Sequence, residues 1–273
     1  MSDSPSLPYR LIATDLDGTL LRGDHRVSER TRAALAAATA AGAAHIVVTG
    51  RTVPVARHIL DDLDYHGLAV CGQGAQVYHA GEHRLLTSVT LDRRLGALAL
   101  EKIESEVGPL FLAVARDGLD GKLLFGPGYG VHPAERSARS LKDRADLWSA
   151  PVSKLYIQHA RMGDDELAEA ARTAAGGLLG VTVSGEGLVE LLPLGLTKAT
   201  GLSLAARRLG MTPEDTIAFG DMPNDIAMLR WATHGVAMAN AHEELKAVAD
   251  EITASNEEEG IALVLERLFS PGP

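Results

Sequence analysis

The chain has only one cysteine among 273 residues, Cys71. That excludes an intrachain disulfide and any zinc cage built from several cysteines, and it fits a reducing compartment. Basic residues are scarce too: 26 Lys and Arg stand against 36 Asp and Glu, a formal charge of −10. Proteins that bind nucleic acid usually carry a basic stripe, so this balance argues against that class of partner. No long apolar run is present. The nearest, AALAAATAAGAAHIVV at 33–48, is mostly alanine and falls short of the roughly 20 strongly apolar residues that a membrane span needs. A helix running into a buried strand accounts for it better. MSDSPSLPYR has no apolar segment after a basic start, which argues against a secretory signal. The expected location is the cytoplasm. No His-Glu-x-x-His spacing occurs to suggest a zinc hydrolase.

What is present reads as an ordinary globule: 46 % hydrophobic and 23 % charged residues, in a length that allows one large domain or two modest ones. Short apolar runs ending in polar or glycine residues alternate with helical segments. Strands are expected at 10–14, 44–48 and 68–70, with helices at 28–41 and 53–63 between them. Ser28 suits the start of the first helix and Gly42 its end. The last third repeats the theme: helix 197–209, strand 216–219, helix 223–231, strand 234–238 and a closing helix 257–269. This is the pattern of an α/β fold with a doubly wound parallel sheet. The middle differs, mixing short strands such as 111–114 and 155–159 with helices and Gly/Pro clusters. The expected organisation is a core made of 1–84 and 193–273, interrupted by an α+β insertion at 85–192.

Charged and polar residues collect at the predicted strand ends, where open α/β sheets bind ligands. Asp15 and Asp17 end the first strand, Thr49-Gly50-Arg51 the second, and Gly220-Asp221 one in the last third. Asp221, Asn224 and Asp225 then lie at i, i+3 and i+4, and Lys198 opens the helix after the insertion. Carboxylates converging in one pocket repel: two charges about 4 Å apart cost roughly 4 kcal/mol at an effective dielectric of 20. A cation relieves that. Hard oxygen donors without thiolates or paired histidines point to Mg²⁺, held by carboxylates together with a phosphate. Lys198 and the Thr49 hydroxyl suit the remaining phosphoryl oxygens. Two carboxylates at i and i+2, with the chain turning at Gly18, offer one nucleophile and one acid/base.

As a set, Asp15-Leu16-Asp17-Gly18-Thr19-Leu20, Thr49-Gly50-Arg51, Lys198 and Gly220-Asp221-Met222-Pro223-Asn224-Asp225 resemble the four motifs of the haloacid dehalogenase superfamily. The insertion between the second and third resembles the type IIB cap of its Cof-like sugar-phosphatase branch. The chain departs from the family at Gln73-Gly74-Ala75, where Asn-Gly-Ala is frequent, and at Ala199 after Lys198, where Gly is common. The resemblance implies that Asp15 attacks phosphorus to form an aspartyl phosphate, and that Asp17 protonates the leaving alcohol and then activates water. It implies a phosphate cradle of Leu16 (through its N–H), Thr49, Gly50, Lys198 and Asn224. Mg²⁺ would be held by Asp15, Asp17 (through its carbonyl) and Asp221, with Asp225 and Arg51 supporting them. The expected substrate is a small phosphorylated metabolite, handled by a monomer or small homo-oligomer with no nucleic-acid or membrane partner.

Other readings compete. A sugar phosphomutase shares this cap and both aspartates. A phosphorylatable regulator shares the acidic pocket, but Asp17, placed to activate water, would make its phosphoryl group short-lived. An EF-hand calcium loop beginning at Asp15 would need Gly at its sixth position and Glu at its twelfth; Gly18 is fourth and Arg26 twelfth. Lys154 could pose as the phosphate lysine, yet it precedes a strand of the insertion and is read as part of the cap's structure. His132 and His159 are read as ordinary surface or core histidines, and Cys71 as a small buried hydrophobe.

Overall fold

The computed structural model describes residues 7–130, 139–141 and 143–269. His132 lies outside them. The chain opens with β1 (Leu11–Thr14), whose four residues are all buried, as expected of a strand covered on both faces. Helix α1 (Glu29–Ala40) is capped by Ser28, whose side chain accepts from Thr31 N. Next come β2 (Ala44–Val48), α2 (Val53–Asp62) and β3 (Leu68–Cys71). The alanine-rich run thus divides into a helix and a buried strand. Among the described residues no helix is long and apolar enough to cross a membrane.

A hairpin follows, β4 (Gln76–His79) and β5 (Arg84–Ser88), antiparallel to each other, with β4 pairing antiparallel to β3. It makes the sheet mixed rather than purely parallel and lies at its edge. The chain then builds α3 (Arg93–Val107), β6 (Phe111–Arg116), β7 (Leu123–Phe125), β8 (Arg139–Ser140), β9 (Val152–Gln158), α4 (Asp164–Ala175), β10 (Gly180–Val183) and β11 (Val189–Leu192). It returns through α5 (Lys198–Arg208), β12 (Thr216–Gly220), α6 (Ile226–Trp231), β13 (His234–Ala237), α7 (Glu243–Lys246), β14 (Glu251–Ile252) and α8 (Gly260–Phe269).

Among the described residues two sheets result. The larger has the order β14-β13-β12-β1-β2-β3-β4-β5, and the smaller β10-β11-β9-β6-β7-β8. Alternate side chains of the larger sheet feed two cores. Leu11 and Ala13 join Leu202 and Ala205 on one face, whereas Ile12 joins Leu60 and Ile261 on the other. The smaller sheet has its own core, in which Leu155, Ile157 and Leu191 meet Leu100, Ile103 and Leu167.

β5 belongs to the larger sheet, so the chain leaves that sheet after Ser88, four residues later than the expected boundary. The crossing is short. Val89 N donates to the Ala75 carbonyl of the first unit at 2.8 Å, and Leu91 N to the Val152 carbonyl of the second at 2.8 Å. The return passes Pro193 and Gly195, the latter at φ +76°.

Candidate active site

From β1 the chain winds outward in two directions, through β2 and β3 on one side and later through β12, β13 and β14 on the other. The C-terminal end of β1 is therefore a topological switch point, with a crevice beside it. The parallel strands bring the residues after β1, β2, β3 and β12 to this one edge. Asp15 extends β1 through its N–H to the Phe219 carbonyl at 2.9 Å. The chain turns at Gly18, at φ +71° and ψ −4°. Glycine is required there twice over, because a Cβ would strain the backbone and collide with the Asp221 carboxylate. The next residue, Thr19, donates from Oγ1 to Asp221 Oδ1 at 2.9 Å.

Lys198 ties the centre together. Its Nζ donates to Asp15 Oδ1 and to Asp225 Oδ1, both at 2.7 Å, and the side chain is buried. Thr197 caps the helix that Lys198 begins and so fixes where the lysine starts. Asp225 is fully buried; its other oxygen accepts from Asp221 N at 3.2 Å and Met222 N at 3.1 Å. Asp15, Asp221 and Asp225 each offer an oxygen within 4.8 Å of the others.

These charges do not balance. Three carboxylates and one ammonium leave two negative charges in a buried place. Burial first, and then Asp225 and Asp221, hold the Asp15 carboxyl well above the usual carboxylate range despite Lys198. Asp221 is pushed up to about 6 by burial and by Asp225, with Lys198 and Thr19 pulling the other way. Lys198 is held above the ordinary lysine range; burial opposes this, but Asp15 and Asp225 outweigh it. A hard divalent cation fits such an oxygen set and its uncompensated charge.

Asp17 stands apart from this cluster. Its carboxylate makes a two-pronged pair with Arg51, Nε to Oδ2 and Nη2 to Oδ1, both 2.7 Å, and is 45 % exposed. The loop after β2 lies alongside. Thr49 is buried, and its hydroxyl accepts from Arg51 N at 3.1 Å. Leu16 is buried, and Gly50 turns its carbonyl to Lys154 Nζ at 2.8 Å.

That contact links the two sheets and had no signal in the sequence. Lys154, on β9, also pairs with Glu190 Oε1 at 2.6 Å, and Ser184 Oγ shares that oxygen at 2.8 Å. Gln73 was likewise not foreseen as a site residue. It is buried beside Gly50 and accepts from Asn224 Nδ2 at 3.1 Å. Its traces in the sequence are the Gly-Gln-Gly turn after β3 and its place where the resembling family often has Asn-Gly-Ala. His159 accepts from Arg161 N and Met162 N and so closes a turn. Cys71 is buried, its thiol pushed up to about 12 by burial.

A cavity of about 670 Å³ opens between the two sheets. Gln73, Lys198 and Asn224 line it from the larger one, and Arg172 and Thr182 from the smaller. Lys198, the ammonium that joins Asp15 to Asp225, thus borders a space large enough for a small metabolite, and the acidic cluster lies behind it.

Known proteins are similar in sequence and fold along nearly the whole chain. The family model for haloacid dehalogenase-like hydrolases matches residues 12–265. The phosphatase YwpJ of Bacillus subtilis is 30 % identical, over 95 % of this chain and all of its own length. The 5-amino-6-(5-phospho-D-ribitylamino)uracil phosphatase YwtE of the same organism is 29 % identical over 96 % of this chain and 98 % of its own. A solved haloacid dehalogenase-like hydrolase from B. subtilis superposes with a TM-score of 0.80 at 27 % identity, covering 95 % of this chain and 99 % of its own. The chain belongs to the haloacid dehalogenase-like hydrolases.

Proposed function

We propose that this protein is a Mg²⁺-dependent phosphatase that hydrolyses small phosphorylated metabolites, sugar phosphates or similar monoesters, in the cytoplasm. The observation that carries the reading is Lys198 bridging Asp15 and Asp225 at the switch point, beside a cavity that reaches the second sheet. The phosphatases among its relatives support the same reaction class. Residues 89–192 act as the cap that covers the site, of the type IIB kind.

Asp15 attacks phosphorus through a carboxylate oxygen while the bond to the leaving oxygen breaks, giving an aspartyl phosphate. Asp17 gives its proton to that leaving oxygen, which departs as an alcohol. Asp17, now a carboxylate, takes a proton from water as the water oxygen attacks the same phosphorus. Inorganic phosphate leaves and the Asp15 carboxylate is restored. For the first transfer the Asp17–Arg51 pair must part, so Arg51 sets the resting orientation of the acid. Lys198 and the N–H groups of Leu16 and Gly50 bind and orient the phosphoryl oxygens, with Thr49 and Asn224 completing the cradle. Mg²⁺ held by Asp15, Asp221 and the Asp17 carbonyl, steadied by Asp225, would supply positive charge that offsets repulsion between nucleophile and phosphoryl group.

A panel of phosphate monoesters assayed for phosphate release, with Mg²⁺ and with excess EDTA, tests the reading. Release that persists undiminished in chelator contradicts the metal; no release from any ester contradicts the activity. Adding a sugar bisphosphate separates the mutase alternative, because a mutase returns the phosphoryl group to sugar instead of releasing it.

A further inference from the structure

We propose that Gln73 donates a hydrogen bond from its side-chain Nε2 to a phosphoryl oxygen of the substrate, adding a binding residue from outside the four motifs. This rests on the phosphatase reading above. The backbone of Gln73 adopts φ +61° and ψ +25°, a left-handed conformation that costs a non-glycine residue on the order of 1 kcal/mol. The surroundings impose it. Gln73 N donates to the Thr49 carbonyl at 3.2 Å and Gly72 N to the Arg51 carbonyl at 2.8 Å. On the other side, Gly74 presses so closely on the Thr197 carbonyl that a Cβ there would collide with it. The turn is wedged between the loop of Thr49 and the helix start that carries Lys198.

The side chain is only 1 % exposed. Oε1 accepts from Asn224 Nδ2 at 3.1 Å, whereas Nε2 has no partner among the described residues. Leaving a buried amide donor unpaired costs about 1–3 kcal/mol, and a bound acceptor removes that cost. The donor has been given room: a Cβ on Gly50 would lie 2.6 Å from Nε2. Gln73 lines the same cavity as Lys198 and Asn224. The ligand atom it suits is an acceptor. Asn224 directs its own amide nitrogen at Gln73 and has an unpartnered oxygen, so Gln73 supplies the free donor of the pair. A neutral donor also adds affinity for an anion without adding to the carboxylate cluster.

Binding of inorganic phosphate in the presence of Mg²⁺, measured by calorimetry on the full chain, tests this with Gln73→Glu and Gln73→Met. Glutamate keeps an oxygen to accept from Asn224 but faces the phosphate with negative charge; methionine removes the donor and keeps the length. Phosphate affinity should fall about tenfold or more in Gln73→Met and further in Gln73→Glu, with KM for an active monoester rising in parallel. A purely structural Gln73 gives the opposite order, with Gln73→Glu binding phosphate like wild type and only Gln73→Met impaired; that result overturns the assignment. Should Gln73→Glu not fold, unchanged affinity in Gln73→Met overturns it equally. If wild type hydrolyses monoesters and binds phosphate, a negative result falls on Gln73 alone; if wild type does neither, the phosphatase reading fails and this one with it.

Discussion

Lys154 Nζ, carried by the smaller sheet, donates to the Gly50 carbonyl on the larger one at 2.8 Å. The contact places a cap residue directly on the loop proposed to bind phosphate. The same ammonium pairs with Glu190, and both side chains are at most 2 % exposed. Removing one member of a buried pair leaves an uncompensated charge, at a cost of about 3–5 kcal/mol. Lys154→Met should therefore lower stability to denaturant by that order and weaken substrate binding. The double variant Lys154→Met/Glu190→Leu should recover most of the stability, because the desolvated charges go together. Denaturant titration of the single and double variants checks it, and equal loss in both contradicts the coupling.

The acidic centre makes a prediction about metal removal. Asp221 faces Asp15 and Asp225 with Lys198 as the cluster's buried cation. Asp221→Asn should raise Tm of the metal-free protein, by about 2–4 °C for each kcal/mol of repulsion relieved. Mg²⁺ should raise Tm of wild type, and the variant should lose most of that rise. Calorimetric scans with and without EDTA measure both, and a lower metal-free Tm in the variant contradicts the repulsion.

Part of this centre was legible in advance. Asp15, Lys198, Asp221 and Asp225 meet because each follows or begins an element whose end the apolar pattern marks, and a parallel sheet brings such ends to one edge. The edge hairpin β4–β5 left a weaker trace, since its strands are short and β5 is partly exposed. Lys154 could not be placed, because only the folded sheet reveals that a lysine in the insertion crosses to Gly50. Nor could Asp17: spacing puts it near Asp15, but its side chain turns outward to Arg51 through a contact between two loops.

His45 gives the fold a pH dependence of its own. Burial lowers its pKa from 6.5 to about 4, and its Nε2 lies 2.8 Å from Thr14 Oγ1. The folded protein holds this ring neutral while the unfolded chain protonates it, so the unfolded state binds more protons between about 4 and 6.5. Stability is full above pH 6.5 and falls as pH drops through that window, by up to roughly 3 kcal/mol from this residue. His45→Gln should flatten that part of a stability–pH curve. An unchanged slope contradicts the assignment.

The return crossing offers a test of cap motion. Gly195 sits at φ +76° with nothing within 4 Å of where a Cβ would stand. Proline, fixed near −65°, cannot adopt that angle. If the cap opens and closes about this segment, Gly195→Pro should change kcat and KM together, whereas Gly195→Ala, which meets no neighbour, should do so less. Unaltered kinetics in both, with scattering profiles identical for the free protein and a Mg²⁺–orthovanadate complex, favour a fixed cap.

The central claim is that Asp15 carries the phosphoryl group. Acid-quenched single turnover of an activated, phosphorus-labelled monoester on Asp17→Asn, followed by peptide mapping, tests it most directly. The variant should accumulate label on the peptide containing Asp15 and release it slowly, and Asp15→Asn should show neither label nor turnover. Label on another residue, or substantial phosphate release by Asp15→Asn, contradicts the account.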